Sequence, residues 1–518
     1  MSDAPQDNEP TRLEPRLRAM CDLRIADVRE AAGRHEYDGV VQDLSPSGVQ
    51  AGLATLVATE RDAGPGGAPP AGDVLDERLV SLGAAGLRAV FGTLQDHRRN
   101  PVHHLGNLDL AGYDKDYAPP AERAEARRRH LAAWPDAVDA AVTALDAVPA
   151  PTARALLPAL RGLSADVEDE AALAAADRLV AHVSEAAGGG EPDASYGADG
   201  LQLLLGVSEG SEVDLGRLAE QADAERDRLR ELLAEACAQL DASTPPEQLV
   251  ARLLRDHPDT PEEIYAEARG LIVEATAFTL EHDLLGDPGG TCLVGPAPPS
   301  RRWAMAMMSW AAAYEPDGPS WYHVTPPDPA WPAEDQEEWL AVFSRTTLPA
   351  ITVHEVTPGH YAHGRALRRT ASDARRLVLS TAFIEGWAHY AEELFVEQGF
   401  RAGDPRYAIG VAVEALIRVT RLAVSLGVHT GAMTVEDGAR RFEADGFLRG
   451  SAARAEAERA TFDPTYGRYT MGKLAILAAR DRARQRWGNS FTLRRFHETL
   501  LAAGAPPLGL LDLVIDSG

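Results

Sequence analysis

The chain has 518 residues, of which 45% are hydrophobic and 25% are charged, and these proportions exclude a chain that is disordered throughout. That length favours two lobes, or one large two-part domain, over a single small core. The formal net charge of −28 argues against nucleic acid and anionic membranes as partners, because an acidic surface repels both.

The cysteines and the first residues of the sequence indicate a compartment. Cys21, Cys237 and Cys292 lie far apart and form no CxxC pair, which is typical of a reducing environment without a disulfide framework. The first 16 residues are polar and acidic and lack the apolar stretch of a signal peptide. No run of 18 or more apolar residues predicts a membrane span. We therefore expect a cytoplasmic protein.

The first part of the chain is predicted to consist of helices separated by two Gly/Pro-rich runs. Helical periodicity of Ala, Leu and Arg covers residues 12–60, 75–100 and 120–187. The runs at 61–72 and 188–200 are predicted loops or linkers. We predict an N-terminal helical region over residues 1–195 and a catalytic region over residues 196–518, which form either two units or one continuous unit.

The second part of the chain is also mostly helical, with one strand signal. Amphipathic patterns at 215–240 and 261–284 predict two long helices, and helical sequence resumes at 335. The segment 321–325 (WYHVT) lies between prolines and predicts a short strand. Zinc peptidases often place an edge strand near the metal, where it pairs with an extended substrate backbone.

The segment 353–363 (VHEVTPGHYAH) carries the first candidate chemistry. In a zinc-binding HExxH helix the two histidines lie at i and i+4, about 40° apart around the axis, and the Glu acts as general base. Here His354 and His360 are six residues apart, which is roughly 240° on an ideal helix. Pro358 and Gly359 favour a local distortion that returns His360 to the metal. The alternative is a helix end with two exposed histidines.

A second motif follows at 384–393 (IEGWAHYAEE). Glu385, His389 and Glu392 lie at i, i+4 and i+7 and therefore share one helix face. Zinc peptidases with two histidines and one Glu take the third ligand from such a second helix, and Glu385 is well placed for that role. Alone, this face would be interpreted as acidic and solvated. Together, the two motifs predict a metal site.

The ordered motifs resemble the bacterial family known as domain of unknown function 885. They are HExxPGH, EGWAxYxE, then Arg418 and Arg421 with a later Gly and His, then a Tyr-x-x-Gly helix at Tyr469, then an FH…PL block beginning at Phe496. The resemblance covers at least residues 196–518. The family resembles zincins and is regarded as zinc-dependent peptidases, and EGWAHYAE is similar to the EGFAxYxE helix of gluzincin aminopeptidases.

This resemblance implies His354, His360 and Glu385 as ligands of one Zn²⁺ per chain, and Glu355 as the general base. It also places Tyr469 as the first candidate for stabilising the oxyanion.

The remaining candidates are side chains for catalysis or for binding substrate. Tyr466 and His429 are alternatives to Tyr469 for the oxyanion, although an aromatic side chain on a helix more often belongs to the core. Arg418 and Arg421 are candidates for binding a substrate carboxylate, because guanidinium matches it in a bidentate fork. The alternative for this pair is a salt bridge to acidic neighbours.

Four positions depart from the family pattern, and they leave the substrate class open. The family commonly has Gln at His363, Asp at Ser425, Gln at Tyr466 and an apolar residue at His389. We predict that His363, His389 and Tyr466 contact substrate, with support of the metal ligands as the alternative for the two histidines.

We expect a large, mainly α, two-lobed fold of the metallopeptidase type, with a deep central cleft and a small strand element near the active site. The predicted function is a zinc-dependent hydrolase that cleaves an amide bond in a short peptide or an amino-acid conjugate. The alternatives are a non-peptidase metalloenzyme, such as an amidase or lyase of a biosynthetic pathway, and an inactive binding protein, against which the intact Glu355 argues. Oligomeric state stays open.

Overall fold

The structure is a computed structural model that describes residues 13–63, 74–189, 193–302, 304–315 and 317–518. Most of the predicted linker at 61–72 lies outside these ranges, and its first three residues end a helix. Residues 190–192 of the predicted run at 188–200 also lie outside them.

Helices dominate the described residues, as the sequence predicts. In the first part of the chain they are α1 Pro15–Asp22, α2 Ile25–Asp27, α3 Pro46–Ala63, α4 Val74–Leu87, α5 Val102–Leu108, α6 Pro120–Ala144, α7 Ala150–Gly162 and α8 Glu170–Ala187. Two π-helical segments, Val28–Ala32 and Arg88–Thr93, continue α2 and α4.

The second part of the chain contains the longest helix of the described residues, α10 Leu215–Asp241. The helices of this part are α9 Gly197–Gly206, α10 Leu215–Asp241, α11 Pro246–Leu254, α12 Pro261–Glu281, α13 Ala333–Ala341, α14 Leu348–Glu355, α15 His360–Leu367, α16 Asp373–Leu377, α17 Thr381–Glu397, α18 Arg406–His429, α19 Val435–Asp445, α20 Gly450–Phe462, α21 Arg468–Trp487, α22 Leu493–Ala502 and α23 Leu511–Ser517. The predictions at 215–240 and 261–284 correspond to α10 and α12. Across the described residues, no helix combines the length and the apolar character that crossing a bilayer requires.

A three-stranded mixed sheet accompanies the helices, in the order β1-β3-β2. Strand β3, Ser320–Val324, is the predicted strand shifted by one residue. It pairs in parallel with β1, Cys292–Pro296, and antiparallel with β2, Ala306–Ser309. The sequence analysis did not identify β1 and β2, because apolar runs of four or five residues carry no period that separates strand from helix.

The apolar core joins the two predicted regions of the chain. Buried side chains between Leu13 and Phe91 form one cluster with side chains between Ala275 and Ile515. Buried side chains between Leu105 and Val183 form a separate cluster on α5 to α8. The division at residue 195 stays a prediction, although the described residues between Leu13 and Phe91 share their core with the predicted catalytic region.

Two glycines set the distance between α17 and α21, the helices that carry Glu385 and Tyr469. A Cβ atom on Gly386 would lie 2.4 Å from Gly472 Cα, and one on Gly472 would lie 2.0 Å from the carbonyl oxygen of Ala382. The two backbones therefore touch, which only residues without a side chain allow. Tyr469 lies one turn before Gly472, so this contact holds its ring beside the start of α17.

Candidate metal centre

The HExxPGH segment is not one distorted helix but two helices with a break between them. All eight residues of α14 are buried, and this helix ends at Glu355; α15 begins at His360. A Cβ atom on Gly359 would lie 1.9 Å from the carbonyl oxygen of His354, so this break requires glycine. The break turns His360 back towards His354, and their ring centroids lie 4.7 Å apart at an interplanar angle of 84°.

The second motif holds the break in place. Trp387 of EGWAHYAE is fully buried, and its indole N–H donates to the carbonyl oxygen of Pro358 over 2.9 Å. Helix α17, which carries Trp387, begins with the Ser380 side chain, which caps it by accepting from the backbone N–H of Phe383. The tryptophan therefore joins the two motifs directly, and the same helix turn presents Glu385.

His354, His360 and Glu385 form a buried group that could hold a metal ion. Glu385 Oε2 lies 3.4 Å from His360 Nε2 and 3.6 Å from His354 Nε2, and one ligand atom from each residue lies within 4.8 Å of the others. In tetrahedral zinc sites ligand atoms about 2.0–2.1 Å from the metal are about 3.3 Å apart, so the pairs that include Glu385 fit closely. The set of two imidazoles and one carboxylate also suits zinc chemically.

Glu392 supports this group from behind, a role that the sequence analysis did not assign. Its Oε1 lies 2.6 Å from His354 Nδ1, which leaves Nε2 of the ring free to act as a ligand. Burial alone would raise the pKa of Glu392, yet Arg418, His354 and His389 hold that pKa well below its ordinary value. The sequence contained an indication of this role, because Glu392 lies seven residues after Glu385 and therefore shares its helix face.

Glu355 is positioned as a general base. Its side chain is buried beside the ligands, and within the described residues its Oε2 has no hydrogen-bond partner. Burial raises the pKa of Glu355, while the neighbouring His360 and His354 oppose that shift. A raised pKa increases the affinity of this carboxylate for a proton taken from water.

Tyr469 faces the same centre. Its ring stacks at 20° to the His354 ring with centroids 6.2 Å apart. The guanidinium carbons of Arg421, Arg468 and Arg459 lie 5.0, 5.8 and 6.0 Å from the centre of the Tyr469 ring. Burial and the charge of Glu385 raise the pKa of the Tyr469 phenol, which keeps the hydroxyl protonated as a donor.

Both arginines predicted to bind substrate line the cavity, but each is paired with protein carboxylates. Arg421 donates to Glu456 twice, over 2.7 Å each. Arg418 lies 3.2 Å from Glu392 Oε1 and 3.2 Å from Glu414 Oε2. This is the salt-bridged alternative stated for the pair, and binding of a substrate carboxylate would have to displace these partners.

His363 and His429 bond backbone carbonyl groups and do not line the cavity. The ring of His363 uses Nε2 to bond the carbonyl oxygen of Gly504, and it packs on the buried side of α15. His429 bonds the carbonyl oxygen of Ala460. On α18, His429 lies eleven residues, or about 16 Å along the helix axis, from Arg418. Neither lines the cavity, so the geometry gives no support to contact with substrate or oxyanion.

His389 and Tyr466 are also outside the cavity lining. His389 lies behind the ligands with Nδ1 3.6 Å from Glu392 Oε2, and burial lowers its pKa to about 3. This position matches the supporting role stated as the alternative. Tyr466 is completely buried in the cluster formed by α18, α19 and α20. The arrangement therefore corresponds to the core alternative for this aromatic ring.

A cavity of about 710 Å³ lies against the candidate centre. His354, Glu355, His360, Glu385 and Tyr469 line one part of it. The edge strand β2 contributes to another part, together with aromatic side chains. The large apolar side chains of this lining include Met305, Met307, Met308, Trp310, Trp339 and Phe343.

Comparisons with known proteins identify relatives of the whole fold. The sequence profile described as bacterial protein of unknown function, DUF885, matches residues 28–515. The structure is similar to that of a proposed lipoprotein of unknown function from Shewanella oneidensis, at 19% identity and a TM-score of 0.76, over 96% of this chain and 98% of that one. A proposed lipoprotein from Colwellia psychrerythraea matches at 18% identity and a TM-score of 0.74, over 97% of both chains. At these identities the likeness shows the fold alone. No curated protein matches the sequence.

Proposed function

The chain belongs to the bacterial DUF885 family, and we propose that it is a zinc-dependent hydrolase that cleaves an amide bond in a short peptide or an amino-acid conjugate. The observation that carries this proposal is the combination of a His-His-Glu group with a buried carboxylate oxygen on Glu355 that has no hydrogen-bond partner among the described residues. A two-lobed metallopeptidase architecture around the cavity belongs to the same proposal.

The chain's own residues supply the acid–base steps. When bound, a divalent metal ion acidifies water and polarises a carbonyl group. Glu355 takes the proton from water and then delivers it to the departing nitrogen, which turns a poor leaving group into an amine. Tyr469 donates its hydroxyl hydrogen to the oxygen on which negative charge develops. Glu392 holds His354 in the tautomer that the ligand role needs.

The cavity supports a small substrate. A volume of about 710 Å³ lies within the range of small-molecule sites and is suited to a few amino-acid residues rather than a folded protein. Among the described strands, β2 lies at the edge of the sheet and also lines this cavity, which supports pairing of an extended peptide backbone along it. The cytoplasmic location stays a prediction. Because the two structural relatives are described as lipoproteins, a location in the cell envelope should be tested as well as the cytoplasm.

Elemental analysis with an activity assay tests the proposal. We expect about one zinc per chain in the purified protein, and loss of that zinc in His360→Ala and Glu385→Ala. Glu355→Gln should keep the zinc and lose hydrolysis of short peptides by at least about a hundredfold, because the proton acceptor is gone. A wild-type protein that binds no added zinc would contradict the site. Zinc-loaded protein that cleaves no amide would contradict the reaction.

The amidase or lyase alternative stays a prediction. This alternative was motivated by the positions at which the sequence departs from the family pattern. Three of them, His363, Ser425 and Tyr466, lie outside the cavity lining. No contact of these side chains with the cavity favours it over peptide hydrolysis.

A further inference from the structure

Next to the candidate metal centre, two carboxylates share one guanidinium group. Arg418 is shared between Glu392, on α17, and Glu414, one turn earlier on α18. The neighbouring Arg421 uses its Nε and Nη2 groups to bind Glu456. Within the described residues Arg418 therefore serves two carboxylates, and Glu414 has no ion-pair partner that it does not share.

A bound divalent ion would not give Glu414 a cation of its own, because its two positive charges would be matched by the two carboxylates next to it, Glu385 and Glu355. Glu392 holds His354 and shares Arg418 with Glu414. Glu414 is therefore left with a share of one guanidinium group.

Glu414 faces the cavity that contains the candidate centre. It lines that cavity together with His354, Glu355 and Glu385, and only 9% of its surface is exposed. Within the described part of the chain its one ion-pair contact is Arg418, made through Oε2. Burial raises the pKa of Glu414, and the shared Arg418 compensates only in part. A carboxylate in this environment is stabilised by any cation that enters the cavity.

We propose that Glu414 binds a positively charged amino group of the substrate. The inference rests on the proposed function and narrows it to amides that carry a free amine, such as peptides with a free amino terminus and amides of amino acids. The opposite polarity, recognition of a substrate carboxylate, has less support at this position, because Arg418 and Arg421 are already engaged by protein carboxylates. Arg459 and Arg468, farther along the wall, both pair with Asp463. The Met and Trp side chains of the lining then accept the apolar remainder of the substrate.

Hydroxamates test this assignment without requiring turnover. Hydroxamates of glycine, β-alanine and 4-aminobutanoate anchor on zinc and carry an amine at increasing distance, and the N-acetylated forms lack the charge. Affinities for the zinc-loaded protein are measured by calorimetry. We expect at least one free amine to bind about tenfold or more tightly than its acetylated form, which is the effect of one charge-assisted hydrogen bond. Glu414→Gln should abolish this ratio.

Glu458→Gln is the matched control, because Glu458 also lines the cavity but lies near Arg154 and Arg454. The amine preference should persist in that variant. Equal affinities for free and acetylated forms in the wild type, or a preference that survives Glu414→Gln, would overturn the assignment. An amine preference without cleavage of any peptide would overturn the proposed reaction and leave the role of Glu414 supported. Zinc-loaded protein that binds none of the six compounds would overturn both.

Discussion

Replacing Glu392 with Gln should weaken zinc binding without removing any ligand of the metal. Glu392 is completely buried, lies 2.6 Å from His354 Nδ1 and 3.2 Å from the Arg418 guanidinium. The amide of Gln keeps the size of the side chain but loses the charge that makes the imidazole a stronger ligand. Removal of such an outer partner lowers metal affinity by about 10- to 100-fold, which corresponds to about 1.4–2.8 kcal/mol.

The variant should also lose stability, because Arg418 becomes less well compensated. Breaking a buried ion pair costs about 3–5 kcal/mol, and the contact that Arg418 retains with Glu414 favours the lower end. Zinc affinity must therefore be measured on the folded protein, by competition with a chromophoric chelator, beside chemical unfolding of the metal-free protein.

Glu393→Gln provides the control one residue away. Glu393 pairs with Arg228 over 2.7 Å and with the fully buried Lys473 over 3.1 Å, on the side of α17 away from His354. We expect a comparable loss of stability and an unchanged zinc dissociation constant. Two outcomes would refute the proposal that Glu392 strengthens His354 as a ligand: a zinc affinity of Glu392→Gln equal to that of the wild type, or an equal loss of affinity in both variants. Either would mean that Glu392 acts only in folding.

Three further predictions concern the break, the phenol and a remote ion pair. Gly359→Ala should lose the zinc and lower the melting temperature, because the added Cβ atom would lie 1.9 Å from the His354 carbonyl oxygen. In the control Gly403→Ala the added Cβ atom meets no atom within 4 Å, so neither property should change. Zinc retained by Gly359→Ala would show that the break tolerates a side chain. Tyr469→Phe should keep the zinc and lower kcat about 100-fold with little change in KM, since only the transition state needs the hydroxyl; an unchanged kcat would exclude this role. His35 pairs with Asp38 and Glu315, and although burial opposes the shift, these carboxylates raise its pKa to about 9. The resulting stability, about 1–2 kcal/mol after solvent screening, is fully present below pH 6.5 and is lost as the pH rises towards 9. His35→Gln should therefore destabilise the protein more at pH 6 than at pH 10, as measured by urea unfolding, and an equal loss at both values would contradict the pairing.

The sequence by itself determined the elements whose signals are local. Helices α10 and α12 follow from an apolar period of 3.6 residues, and strand β3 follows from alternating residues between prolines. The ligand group His354, His360 and Glu385 could also be proposed before the structure, because the two motifs contain all three side chains and the family resemblance implies them as ligands. Glycine at 359 indicated that the helix departs from ideal geometry, but not that it ends at Glu355.

Tertiary structure alone decided which neighbours each side chain meets. The local sequence around Arg418 and Arg421 does not distinguish a substrate-binding role from a salt bridge. Their partners Glu392 and Glu456 lie on other helices, so only the packing of those helices decides between the two roles. The faces that His363 and His429 present are set by how α15 and α18 pack, which no local period encodes. Strands β1 and β2 exist through pairing with β3, across up to 28 residues of chain for β1. The cavity and the sharing of Arg418 between Glu414 and Glu392 arise from the same long-range packing, because they depend on which helices lie side by side.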